Sequence, residues 1–126
     1  MLIKSAKELD VYRLAYALSM EIFEISKTWP KHEQHALTDQ CRRSSRAVCA
    51  NLREAWAKRR YEAHFVNKLT NCDGENSETD TWIDYAHDCG YITVDVHKEL
   101  TRKISHIGGM LGKIIQNPGP FLIGLE

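Results

Sequence analysis

Residues 37–58 read LTDQCRRSSRAVCANLREAWAK, and within them Leu37, Cys41, Ser45, Val48, Leu52 and then Ala55 or Trp56 recur at spacings of four or three. That period gathers them on one stripe of an α-helix and would scatter them over both faces of a strand. Ser44, Ser45, Ala47 and Ala50 are small and let a neighbouring helix approach closely. The helix is expected to begin near Glu33 or Thr38 and to reach about Lys58.

The same period appears on both sides of this stretch. Upstream, Val11, Ala15, Leu18, Ile22, Ile25 and Trp29 form the apolar seam of a first helix from about Ser5 to Thr28. Ser5 and Glu8 have the spacing of a capping box, and Pro30 disfavours helix at Trp29. Downstream, a third helix spans about Tyr61 to Asp88, with Phe65, Leu69, Cys72, Thr79, Ile83 and Ala86 inward. Its middle, Asp73-Gly74-Glu75-Asn76-Ser77, is poor helix material, but the seam resumes in phase after it. Gly90 is a natural left-handed stop. Thr93 or Asp95 then caps a fourth helix carrying Val96, Leu100, Ile104, Ile107, Leu111 and Ile114, which Asn117-Pro118 ends. Four helices joined by short loops imply an all-α, antiparallel up-down-up-down four-helix bundle. The bundle is expected over residues 1–117. An apolar tail over 118–126 is left to dock on a partner or to end in vector-derived residues.

Of the 126 residues, 43% are hydrophobic and 27% charged, an ordinary globular balance. No apolar run approaches the roughly 20 residues of a membrane span, and the first residues lack the pattern of a signal peptide. Cys41, Cys49, Cys72 and Cys89 include no Cys-x-x-Cys. They read as free thiols of a cytoplasmic protein.

Seventeen basic residues balance seventeen acidic ones, but their distribution is uneven. Arg42, Arg43, Arg46, Arg53, Lys58, Arg59 and Arg60 face only Glu54 within residues 42–60, while residues 73–88 hold six carboxylates and no Lys or Arg. At about 100° per residue, Arg42, Arg46, Arg53 and Arg60 share a stripe on one flank of the second helix, and Asp73, Asp80, Asp84 and Asp88 a stripe on the third. Three readings are open. The stripes are a solvated face, they join the basic side of one protomer to the acidic side of the next, or the arginines and the Lys58-Arg59-Arg60 cluster contact phosphates while Trp56 and Tyr61 stack on unpaired bases.

Catalytic and cofactor signatures are weak. Gly108-Gly109-Met110-Leu111-Gly112-Lys113 is one residue short of a phosphate loop, lacks the following Ser or Thr and lies in a helical period. Its glycines read as small residues for helix packing. His32 and His35 have no third ligand near them in sequence. No Glu-x-x-His pairs stand in register for a di-iron bundle. No catalytic, metal or cofactor residue is expected, and the chain is not expected to be an enzyme.

Several short pieces carry a resemblance from about Lys7 to Ile115: Leu9-Asp10-Val11-Tyr12, Trp29-Pro30 with Glu33, Leu37-Thr38-x-Gln40-x-Arg42-Arg43-Ser44, Asn51-Leu52-x-Glu54, Phe65-x-x-Lys68-Leu69, Glu78-Thr79-x-x-Trp82 and Gly90-Tyr91-Ile92. In these the chain resembles the bacterial four-helix-bundle proteins encoded in intervening sequences of 23S ribosomal RNA genes. It departs from them at Arg53 and Ala55, where the family usually has Ala and Gly, and in its more polar stretch from Asn71 to Ser77. The resemblance implies a ring-shaped homopentamer without known catalytic activity, associated with ribosomal or other structured RNA. A related branch accompanies the reverse transcriptases of diversity-generating retroelements, which makes an adaptor for such a protein partner the alternative.

Overall fold

The computed structural model describes residues 3–123, and within them the chain folds as four α-helices: α1 (Asp10–Ser26), α2 (Leu37–Ala57), α3 (Glu62–Asp88) and α4 (Val94–Gln116). Short 3-10 turns precede α1 at Ala6–Glu8, precede α2 at Lys31–Glu33 and follow α4 at Gly119–Phe121. Cross-helix contacts run antiparallel. Arg42 reaches Ser26 while Cys49 lies against Tyr12. Arg43 reaches Glu75 and Glu78 while Lys68 reaches Glu54. His97 reaches Asp84 while Asn76 reaches Ile104. Each helix packs on its chain neighbours and α4 closes on α1. The helices therefore stand as a square whose opposite edges are the α1–α2 and α3–α4 seams.

The expected seams form the core. Ile22, Leu52, Leu69, Ile83, Leu100, Ile107 and Leu111 are its largest fully buried side chains, each worth about 1.5–3 kcal/mol relative to exposure. Ser44 and Ser45 are buried against the neighbouring helices, whereas Ala50 faces solvent. Ala55 is the buried end of the α2 seam and Trp56 is only half-buried.

Three expectations are corrected. The first helix does not begin at Ser5: the capping box is present, with Glu8 accepting from the Lys4 and Ser5 backbone, but it caps a 3-10 turn. Leu9 is extended, so α1 starts at Asp10. At its other end α1 stops at Ser26, and residues 27–29 turn before Pro30. α2 ends at Ala57, so Arg60 lies beyond the helix and outside the stripe that helical extrapolation gave it.

The polar middle of α3 stays helical because tertiary contacts hold it. Asn76, only 4% exposed, donates Nδ2 to the Ile104 carbonyl of α4 at 2.9 Å. Glu75 meets Arg43 of α2 at 3.2 Å. Gly90 turns the chain at φ 81°, and Thr93 caps α4 by accepting from the Val96 backbone at 3.2 Å. After α4, Phe121 and Leu122 pack against the core and residue 123 reaches the Arg59 carbonyl. The expected tail runs on through residues 124–126, which lie outside the described residues.

Candidate interaction surfaces

The basic stretch of α2 divides into three environments. Arg42 lies along α1: its Nε donates to Ser26 Oγ at 2.8 Å and its guanidinium sits 4.9 Å above the Phe23 ring. Arg46 is 5.7 Å from the same ring, and Arg53 is exposed two turns further along. Arg43 is turned the other way, toward α3, with its guanidinium 2.7 Å from Glu78 and 3.2 Å from Glu75. These bonds hold its pKa above the ordinary arginine value.

The third environment is the corner after α2. Lys58 and Arg60 are exposed, but Arg59 folds inward. Its guanidinium stacks 3.6 Å from the Trp56 ring, its Nε donates to the Trp56 carbonyl at 2.9 Å and Nη1 reaches the Phe121 carbonyl at 3.4 Å. Burial lowers its pKa. One face of the half-buried Trp56 is thus covered by Arg59, and its Nε1 is buried without a hydrogen-bond partner among the described residues, which limits its capacity to stack on a base. Tyr61, 59% exposed, keeps that capacity beside His64, whose ring is 5.5 Å away. Among the described residues, Arg46, Arg53, Lys58 and Arg60 have no ion-pair partner.

The acidic stripe lies along the α3–α4 seam. Asp84 accepts from the His97 ring of α4 at 2.8 Å, and Asp88 sits 3.2 Å from His87. The His87 and His97 rings stack at 4.5 Å. Asp80 is half-buried. Desolvation, and then the nearby Asp84 carboxylate, raise its pKa, while His97 opposes the shift. Asp73 is exposed at the mouth of a groove of about 390 Å³ that also contains Asn76, Asp80, Thr101, Ser105 and Gly108. The basic and acidic stripes therefore occupy opposite edges of the helical square.

The outward aromatics of α1 lie off the apolar seam that marks the helix in the sequence. Tyr12 and Tyr16 stack at 6.2 Å, and Tyr16 and Met20 are both exposed beside the Arg46–Phe23 contact. Their spacing of four, off the apolar seam, was the available signal. The α4 glycines play a smaller part than expected. A Cβ on Gly108 would meet Asn76 Nδ2 at 3.4 Å, whereas Gly109 and Gly112 face open space. His32 and His35 are exposed. Among the described residues, no group of three or more His, Cys, Asp or Glu is arranged to hold a metal ion, and no helix is long and apolar enough to cross a membrane.

Comparisons with known proteins point one way. A solved structure from Bacteroides thetaiotaomicron, a protein of unknown function from the S23 ribosomal protein family, superposes with a TM-score of 0.76 at 25% identity, covering 85% of this chain and 96% of that one. No curated protein matches the chain. The family described as 23S rRNA-intervening sequence protein matches residues 7–113. The chain belongs to the 23S rRNA-intervening sequence protein family.

Proposed function

We propose that this protein is a non-catalytic, cytoplasmic, homo-oligomeric module that assembles as a ring and carries structured RNA. The ring of five protomers is what its family resemblance implies. The observation that carries the assembly is the placement of unlike charges on opposite edges of one bundle: Arg46 and Arg53 at the α1–α2 edge, Asp73 and Asp80 at the α3–α4 edge. Such faces cannot meet by a two-fold axis that pairs each with itself. They pair head to tail, and a head-to-tail contact closes into a ring when its rotation permits.

The RNA contact falls to the corner after α2. Lys58 and Arg60 are exposed beside Tyr61, a combination of phosphate-neutralising charge and a stacking ring that suits unpaired nucleotides. Arg43 and Arg59 are withdrawn from this role by their intramolecular bonds. The test is RNA affinity measured across a salt series. Lys58→Glu with Arg60→Glu is expected to weaken binding at least tenfold and to flatten the salt slope by roughly one to two. Unchanged affinity and slope remove the corner from the RNA site.

A second reading, an adaptor for a protein partner such as a retroelement reverse transcriptase, draws on the exposed Tyr16 and Met20, residue types enriched at protein interfaces. It predicts capture of that partner by a ring whose mass RNA leaves unchanged.

A further inference from the structure

Arg42 takes no part in the contacts proposed above, and no carboxylate pairs with it among the described residues. It is half-buried and held from several sides. Nε donates to Ser26 Oγ at 2.8 Å, Nη2 to the Phe23 carbonyl at 3.5 Å, and the guanidinium lies 4.9 Å from the centroid of the Phe23 ring. Nη1 has no partner among the described residues, so a fixed cation keeps N–H donors free for a group from outside the chain. Arg42 lines an open pocket of about 370 Å³ where the chain passes from α1 to α2, together with Lys27, Lys31, Gln34 and Thr38. None of the residues lining this pocket is acidic.

Thr38 points to a ligand independently. It is only 6% exposed. Its hydroxyl makes no hydrogen bond among the described residues, yet it is not one of the polar atoms sealed from solvent. Buried polar groups are nearly always satisfied, so a hydroxyl that is both unpaired and reachable calls for a partner. The backbone N–H groups of Thr38 and Asp39 are also without an acceptor, because Ala36 gives α2 no side-chain cap and Glu33 reaches only the Leu37 N–H, at 3.3 Å. The positive end of the α2 dipole therefore stands beside the basic side chains. Nearby carboxylates are engaged elsewhere: Glu24 pairs with Lys27 at 3.1 Å, and Glu33 accepts from Tyr91 at 2.8 Å. Lys31 is exposed and has no such pair.

We infer that this pocket binds a phosphate monoester, with Arg42, Lys31 and Thr38 as its ligating side chains and Ser26 as the residue that positions Arg42. A monoester carries close to two negative charges at neutral pH and three acceptor oxygens, which match a guanidinium, an ammonium and a hydroxyl. A carboxylate or a phosphodiester brings a single charge and fewer free oxygens. The same chemistry has two sources, the 5′ end of an RNA and a small phosphorylated molecule. Thr38 and Lys58 stand about 30 Å apart along α2, so the site is separate from the RNA corner and does not depend on it.

The experiment is calorimetric titration of the full chain with inorganic phosphate, where saturable binding in the millimolar range or tighter is expected. Lys31→Gln alters an exposed side chain and Thr38→Val keeps the shape of the buried one; each is expected to weaken binding by about threefold or more. Arg42→Gln is expected to cost about tenfold or more, with a thermal melt to show that it still folds. Lys58→Glu/Arg60→Glu is expected to leave phosphate affinity unchanged. In that background, which silences the corner, a short RNA is compared with and without its 5′ phosphate. A preference for the phosphorylated form that Lys31→Gln removes assigns the site to an RNA end. Equal binding of the two RNAs, with inorganic phosphate still bound, assigns it to a small phosphorylated molecule. A wild type that takes up no phosphate, or one whose affinity survives both Lys31→Gln and Thr38→Val, overturns the site and leaves the RNA corner standing.

Discussion

Ser44 Oγ lies 2.7 Å from Thr79 Oγ1 in the buried seam between α2 and α3. Thr79 donates to the Glu75 carbonyl at 2.9 Å, so Ser44 is the donor to Thr79. Its alternative acceptor, the Cys41 carbonyl, is 3.4 Å away. Thr79→Val strips Ser44 of its short acceptor and is expected to cost about 1–3 kcal/mol. Ser44→Ala leaves Thr79 still donating and is expected to cost less. The double variant should lose less than the two singles combined, because it leaves neither hydroxyl stranded. Urea unfolding of the four proteins checks this, and strict additivity contradicts it.

Arg43 and its two carboxylates on α3 make an ion-pair cluster at the surface, with the arginine side chain 46% exposed. Exposed pairs contribute about 0–1 kcal/mol. Arg43→Ala is expected to shift stability by no more than that and to leave native mass and RNA affinity unchanged. A loss of RNA binding in this variant would return Arg43 to the contact surface.

Asp80 links stability to pH. Its pKa is raised chiefly by burial, so as pH falls the folded chain takes up this proton before the unfolded chain does. The ionised form therefore costs stability above the raised pKa, and that cost disappears as pH falls through it. Asp80→Asn, placed in an Arg46→Glu/Arg53→Glu background that the proposed assembly expects to hold protomers apart, is expected to raise the melting temperature at neutral pH. The gain should shrink in acid. A gain that does not vary with pH, or a loss, contradicts this account of the carboxylate.

Gly74 lies mid-way along α3, and a Cβ there would meet nothing within 4 Å. Gly74→Ala is expected to stabilise the protein by about 0.5–1 kcal/mol through helix propensity and reduced unfolded-state freedom. Thermal melts read the change directly. A destabilised variant would mean that the outer face of α3 is covered in the assembly.

The thiols should react unequally. Burial raises the pKa of Cys41 to about 12, Cys49 to about 11 and Cys72 to about 12, whereas Cys89 is exposed. A chromogenic disulfide at mild pH is expected to modify one thiol rapidly in the native protein and all four in denaturant. Fast native titration of two or more would show that the helices open on the time scale of the assay.

The α-helical seams were legible because burial follows period: Val11, Cys41, Leu69 and Ile104 lie inside, with Ile25, Val96 and Ile114 half-buried against the core. Helix ends were less so. A capping box specifies hydrogen bonds that a 3-10 turn also makes, so Ser5 and Glu8 could not place the start of α1 at Asp10. The basic stripe was legible as composition but not as surface. Whether an arginine faces water depends on partners distant in sequence: Glu78 for Arg43, Phe121 for Arg59 and Phe23 for Arg42. Asn76 shows the same limit. Its polarity marked it as poor helix material inside a helix that the seam carried through, and its bond to Ile104 makes it part of the α3–α4 packing.

The most direct test of the proposed function is the native mass of the wild-type chain by light scattering after size exclusion, at low and high salt, with and without a structured RNA. A ring-sized mass near five protomers that falls in high salt and gains the mass of RNA at low salt is the predicted result. A protomer mass that neither salt nor RNA changes would contradict it.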